Sequence, residues 1–169
     1  MQDAVDLPVT VKHRLGLDHN QAYAFVRDFV GQLYHAGCRV FIVHARNAVL
    51  KGLTPKDNRE IPPLRYEVAQ QLKQDFSDCT IVLNGGLNEL SQIETIARSF
   101  DGVMLGRAAW HTPKILSKVS LRFWPSTPLL ADAQLIETMM EYAAREIAKG
   151  VPLRVITRPM LGLFNGLSV

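Results

Sequence analysis

The chain has 169 residues, 47% hydrophobic and 21% charged, values ordinary for a globular protein with a packed core and far from those of a disordered one. Its 19 Lys and Arg exceed 16 Asp and Glu, giving a charge of +3 and a mild bias toward an anionic partner. No apolar run reaches the roughly 18 residues that span a bilayer. Met1-Gln2-Asp3-Ala4 lacks both parts of a signal peptide. Cys38 and Cys79 make neither a disulfide framework nor a metal-ligand spacing, so a reducing cytoplasm is the expected compartment.

In chain order, the first apolar run is Val9-Thr10-Val11, followed at once by Lys12-His13-Arg14. A helix is predicted over 21–35, where Tyr23, Val26, Phe29, Val30 and Leu33 recur at helical spacing before Gly37. The second run, Val40-Phe41-Ile42-Val43, leads into His44-Ala45-Arg46 and a long polar loop over 46–63. A helix over about 66–76 turns Val68, Ala69 and Leu72 inward. The third run, Thr80-Ile81-Val82-Leu83, ends in Asn84-Gly85-Gly86. A helix over 89–100 would bury Leu90, Ile93, Ile96 and Ala97, and the fourth run, Gly102-Val103-Met104-Leu105, ends in Gly106-Arg107. After Leu116 the pattern changes. Pro125 and Pro128 flank a linker. Residues 132–149 read as one amphipathic helix with Asp132 as N-cap and Leu135, Ile136, Met139, Met140, Ala143 and Ile147 inward. A further helix starts over 155–164.

Continuous apolar runs separated by helices read as parallel strands covered on both faces. A doubly wound sheet and a (β/α)8 barrel both satisfy this pattern. Polar clusters at the C-terminal ends of all four strands favour the barrel, which keeps its chemistry on that rim and often binds phosphate at its last two loops. Four units are half of eight. The expected architecture is therefore α/β: half of a TIM (β/α)8 barrel over 1–120, then a small helical domain over 121–169. A half-barrel leaves two unpaired edges and one open apolar face, which together predict self-association.

Asn84, Gly85 and Gly86, with Gly106 and Arg107 in the next unit, form a candidate phosphate site. Glycines let backbone N–H groups approach an anion, and arginine adds a bidentate charged contact. Alternatively, the glycines only make the turn from strand to helix. Lys12 ends a run of buried residues, where a lysine calls for an anionic or electron-rich partner, and His44 closes the next strand on the same rim. A lysine that snorkels to the rim and a satisfied core histidine are the plainer readings. The 46–63 loop, with Lys51, Lys56, Asn58 and Arg59, suits a phosphate backbone or an RNA base, or is a solvated charged loop. Arg154 and Arg158 could extend that basic surface. Cys38 and Cys79 precede their strands at the opposite rim and read as structural thiols.

Val9 through Gly16, Phe41 through Arg46, Gly52 through Leu64, Asn84-Gly85-Gly86 and Gly102 through Arg107 occur in the order and with the gaps of the tRNA-dihydrouridine synthases. The segment from Pro55 to Leu64 and the tail Thr157-Arg158-Pro159-Met160-Leu161-Gly162-Leu163-Phe164 resemble the A subfamily, which acts at positions 20 and 20a of the tRNA D-loop. The resemblance implies the C-terminal half of an FMN-binding barrel. Lys12 and His44 would contact the flavin ring, and Asn84, Gly85, Gly86, Gly106 and Arg107 would hold the FMN phosphate. Lys56, Asn58, Arg59 and Arg158 would face tRNA. It further implies that NADPH reduces the flavin, that hydride passes to uracil C6, and that a cysteine of the other half-barrel protonates C5 after the base is extruded. Neither Cys38 nor Cys79 occupies that cysteine's place, and the family's C-terminal end is expected to be cut short after Gly166, so the chain alone is expected to be inactive. Another FMN-phosphate barrel acting on small molecules, and a non-catalytic RNA-binding or self-associating half-barrel, are the competing readings.

Overall fold

A computed structural model describes residues 4–164. Met1, Gln2, Asp3 and Gly166, which figure in the sequence patterns above, lie outside the described residues. Contacts divide the chain into two units, Met1–Leu105 and Gly106–Val169.

In the first unit, β1 (Val11–Arg14), β2 (Val40–His44), β3 (Thr80–Asn84) and β4 (Gly102–Met104) form one parallel sheet in the order β1-β2-β3-β4. Helices α1 (Tyr23–His35), α2 (Tyr66–Asp75) and α3 (Leu90–Ala97) fill the three connections. With no reversal of strand order, crossovers of a single hand place their helices on one face of the sheet. That face holds the core. Phe41, Val43, Ile81 and Leu83 are fully buried there, in one cluster with Val26 and Val30 of α1 and Val68, Ala69 and Leu72 of α2.

Side chains alternate across a strand, so the residues between these point the other way. Val40, Ile42, His44, Val82, Asn84, Gly102 and Met104 are only half-buried, Arg14 is half-buried and Lys12 is exposed. The continuous apolar runs suggested cover on both faces; in this chain one face is covered by helices and the other is open, as a half-barrel leaves it.

The first strand also differs from expectation. It starts at Val11, so Lys12, His13 and Arg14 lie within β1 rather than after it. The strand tolerates them because Lys12 and Arg14 fall on the uncovered face. His13 falls on the covered one, where its ring packs 5.3 Å from that of Phe29 and 6.2 Å from that of Phe41. Its Nδ1–H donates to the Arg14 carbonyl at 2.9 Å. Burial holds its pKa below the ordinary value, against that hydrogen bond and aided by Lys12, which favours the neutral form of this half-buried histidine. Phe29, expected inward, is 41% exposed and covers His13 with the rest of its ring.

At the opposite end of the strands, Lys73 Nζ donates to Asp101 Oδ1 and Oδ2 at 2.8 and 2.7 Å and to the Cys79 carbonyl at 3.2 Å. Asp101 Oδ2 also accepts from Ile81 N–H at 2.7 Å, so one carboxylate ties α2, β3 and the start of β4 together. Cys38 and Cys79 are buried free thiols at this end, and burial, with Asp78, pushes the Cys79 thiol up.

The second unit is helical among the described residues: α4 (Arg107–His111), α5 (Lys114–Phe123), α6 (Asp132–Ala148), α7 (Leu153–Thr157) and a 3-10 segment, Arg158–Phe164. Ala131, not Asp132, caps α6. Gln134 Oε1 accepts the Ala131 N–H at 3.0 Å, and Asp132 instead pairs with Lys114 Nζ at 2.7 Å. The expected inner stripe of α6 is shallow: none of its residues is fully buried, and Met140 and Ile147 are exposed. The helix expected over 155–164 begins at Leu153 and turns 3-10 where Pro159 removes a backbone donor. No helix among the described residues is long and apolar enough to cross a membrane.

Burial works against the Asp101 carboxylate, but Lys73 and the Ile81 N–H outweigh it and hold its pKa below the ordinary carboxylate value. A depressed folded pKa contributes stability that is complete above the unfolded value of 3.8 and is lost as pH falls through the folded one. Urea denaturation is expected to find Asp101→Asn destabilised by about 1 kcal/mol at neutral pH, a figure discounted for partial exposure. The gap to wild type should narrow below pH ~4. A constant gap across that range would remove the ion pair from the account.

Candidate active site on the uncovered sheet face

Parallel register aligns the uncovered face into rows. Arg14, His44, Asn84 and Met104 are paired neighbours across the four strands, and one pleat below them run Lys12, Ile42, Val82 and Gly102. Three of the four upper residues are polar, and each stands at the C-terminal end of its strand. The structure thus brings Lys12, His44 and Asn84, all expected site residues, onto one surface. Asn84 Nδ2 donates to the Met104 carbonyl at 2.8 Å, tying β3 to β4. Lys12 has no hydrogen-bond or ion-pair partner among the described residues. Its expected depth is corrected, since it is exposed in this chain. The desolvation its neighbours do impose, with the charge of Arg14, lowers its pKa.

Gly85 and Gly86 follow β3 with φ of +120° and +68°, left-handed conformations that side chains resist. A Cβ on Gly85 would come within 2.9 Å of His44 Cδ2, and one on Gly86 within 2.5 Å of Leu64 Cδ1. The turn therefore needs glycine for two reasons, backbone angle and the side chains packed over it. Tyr66 Oη donates to the Gly85 carbonyl at 2.6 Å and fixes the turn from α2. Gly85 is buried and Gly86 exposed. Gly106 and Arg107 open the second unit directly after β4. A Cβ on Gly106 would meet nothing within 4 Å, so its backbone stands in open space, and Arg107 is exposed.

Arg14 has a second task. Its Nη1 donates to the Asn47 carbonyl at 2.8 Å, the Asn58 carbonyl at 2.7 Å and Asn58 Oδ1 at 3.2 Å. Asn58 in turn accepts from Val49 N–H at 3.0 Å and donates to the Val49 carbonyl. Arg46, buried, donates from Nη1 to the carbonyls of Glu60 at 3.0 Å and Pro62. Asn47 Nδ2 reaches the Asn20 carbonyl at 2.7 Å and ties in the loop after β1. The 46–63 loop is thus held on carbonyls by two arginines whose charges would otherwise repel. Burial, Arg46 and Arg59 together lower the Arg14 pKa. Asn58 is half-buried, and its amide is occupied inside the loop. Lys51, Lys56 and Arg59 are exposed on its outside. Arg158 is exposed in the second unit.

Sequence reasoning did not single out Arg14, although its place two residues after Lys12 puts both on one strand face. Tyr66, Leu64 and Asn47 carried no signal of their own. Their roles come from contacts between segments about 20 to 30 residues apart.

The family model for dihydrouridine synthase matches residues 1–169. This chain belongs to the dihydrouridine synthase family. It is 50% identical over 167 residues to the tRNA-dihydrouridine(20/20a) synthase of Pseudomonas syringae, 48% over 167 to that of Pseudomonas putida and 46% over 167 to that of Synechocystis. Each match covers 98% of this chain and 50% of the relative, so the chain spans about half the length of these curated relatives.

Asn58→Ala removes the acceptor and donor that close the 46–63 loop. Hydrogen exchange at the Val49 amide is expected to accelerate about tenfold to a hundredfold, while the β2 amides keep their protection. Unchanged exchange at Val49 would show that the loop does not depend on this amide.

Proposed function

We propose that the chain supplies the second half of an FMN-binding (β/α)8 barrel over 1–120 and the start of a helical tRNA-binding domain over 121–169. The complete protein would reduce uridine to 5,6-dihydrouridine in the tRNA D-loop, with NADPH as reductant, in the cytoplasm. The observation that carries this reading is the uncovered face of a singly wound parallel sheet, with Lys12, Arg14, His44 and Asn84 at its C-terminal end. A barrel turns that face toward its interior and its C-terminal rim toward ligand. Family membership and the names of the relatives support the chemistry.

The residues present fit a flavin phosphate cofactor. An unpartnered lysine cation suits the electron-rich edge of the ring, and the exposed backbone at Gly86 suits a phosphate. When bound, FMN would supply hydride to the C5–C6 bond of the uracil. Lys12 and His44 would contact its ring. Asn84 would orient the β3 end through Met104, and Gly85, Gly86, Gly106 and Arg107 would hold its phosphate. Lys56 and Arg59 would reach tRNA directly, with Arg158. Asn58 would contribute there mainly by shaping the loop.

Titration of the purified chain with FMN should quench flavin fluorescence to saturation, and Lys12→Ala should weaken binding about tenfold or more. Absence of quenching would refute a flavin site built on these residues. The chain alone should form no dihydrouridine from tRNA and NADPH, because neither buried thiol stands at the C-terminal rim to donate a proton. It should also self-associate in sedimentation through the uncovered face and the β1 and β4 edges. Product detected by nucleoside mass spectrometry, or a stable well-folded monomer, would count against the half-barrel reading.

A further inference from the structure

The charge of the chain is divided unevenly. Residues 106–169 carry eight Lys and Arg against four Asp and Glu, whereas residues 1–105 carry eleven against twelve. The whole positive excess therefore belongs to the second unit. Within that unit all four acids lie on α6, and residues 102–131 contain no Asp or Glu over 30 positions. That acid-free stretch includes α5, where Lys114, Lys118 and Arg122 recur every fourth residue. Side chains four apart share a helix face at about 6 Å intervals, a step comparable to that between successive phosphates of a nucleic-acid strand. Lys114 pairs with Asp132; Lys118 and Arg122 are exposed, the Arg122 guanidinium lying 6.0 Å from the Phe123 ring centroid. Exposed Trp124 follows directly, a ring face on which a base or sugar can stack.

We propose that the Lys118–Arg122 face of α5 is a contact surface for the phosphate backbone of tRNA, separate from the Lys56, Asn58, Arg59 and Arg158 set; this rests on the tRNA-modifying reading above. Charge complementarity selects a polyanion as the occupant. A membrane surface also attracts basic amphipathic helices, but it needs the apolar flank of the helix. On α5 part of that flank is already engaged within the second unit: Ile115 is buried and Val119 half-buried. Phosphate contacts from the cationic side chains need no apolar flank.

The test measures anisotropy of a fluorescent unmodified tRNA transcript titrated with the full 169-residue chain over a series of salt concentrations. K118Q/R122Q is compared with R27Q/R98Q, which removes the same charge from exposed positions of the first unit. The α5 variant is expected to bind about tenfold or more weakly, with the slope of log affinity against log salt shallower by about two, roughly one for each phosphate no longer neutralised. The control should keep the wild-type slope. Equal affinity and slope for the two variants would overturn the α5 surface while leaving the functional reading intact. A wild-type chain that does not bind tRNA would take down both. Titration with vesicles rich in phosphatidylserine closes the test: abolished vesicle binding in the α5 variant with tRNA affinity unchanged would also overturn the proposal.

Discussion

A parallel strand turns successive side chains to opposite faces, and a singly wound sheet puts every crossover helix on the same one. In this protein those two constraints meet at three in-register positions: Arg14, His44 and Asn84 are paired neighbours because Lys12, Ile42 and Val82 are. None of these residues reaches the row by its own preference. Each is carried there by the neighbouring apolar residues, Phe41, Val43, Ile81 and Leu83, which bury themselves under α1 and α2. The core thus decides the placement of the polar row. A one-residue slip of a single strand would send its polar residue into the core and a leucine or valine to the rim.

Collecting cations on one rim has an electrostatic cost, met mostly by backbone. Arg46 and Arg59 disfavour the charge of Arg14, and among the described residues no carboxylate hydrogen-bonds to Arg14. Carbonyls of Asn47, Asn58, Glu60 and Pro62 receive the guanidinium protons instead. Carbonyls stabilise a cation without cancelling it, so the positive charge of Arg14 and Arg46 is retained. The same bonds give the 46–63 loop a definite shape, and it turns back through Leu64 and Tyr66 to cover the Gly85–Gly86 turn. Loop shape and turn geometry are therefore one problem with one solution.

The four strands and three connecting helices were legible because each carries a strong local pattern. Val40-Phe41-Ile42-Val43 and Thr80-Ile81-Val82-Leu83 could scarcely be read otherwise, and the Val68, Ala69 and Leu72 stripe of α2 lies where its spacing puts it. The runs alone did not say which residues would lie on the open face of the half-barrel, since an apolar residue there, such as Ile42 or Val82, looks the same in sequence as one in a core. Lys12 was placed too deep for the same reason. The shift of β1 reflects pairing with β2, which determines where a strand begins more firmly than the polarity of Lys12-His13-Arg14 does. Of the candidate site, Lys12, His44 and Asn84 could be found from their positions at strand ends. Asn58 could be found but not its bonds to Arg14 and Val49, because contacts between separate segments leave no one-dimensional signal.

The two units also divide labour in a way their charges express. The first is nearly neutral, and the two arginines beside its strand ends, Arg14 and Arg46, are braced on backbone carbonyls. The second holds the excess charge, part of it on exposed side chains such as Lys118 and Arg122, as the proposed contact with a long polyanion through weak, salt-screened contacts calls for. A braced arginine gives geometry; an exposed lysine gives attraction over a distance. In this chain the two kinds of cation fall on different elements: the strand ends of the sheet and the face of α5.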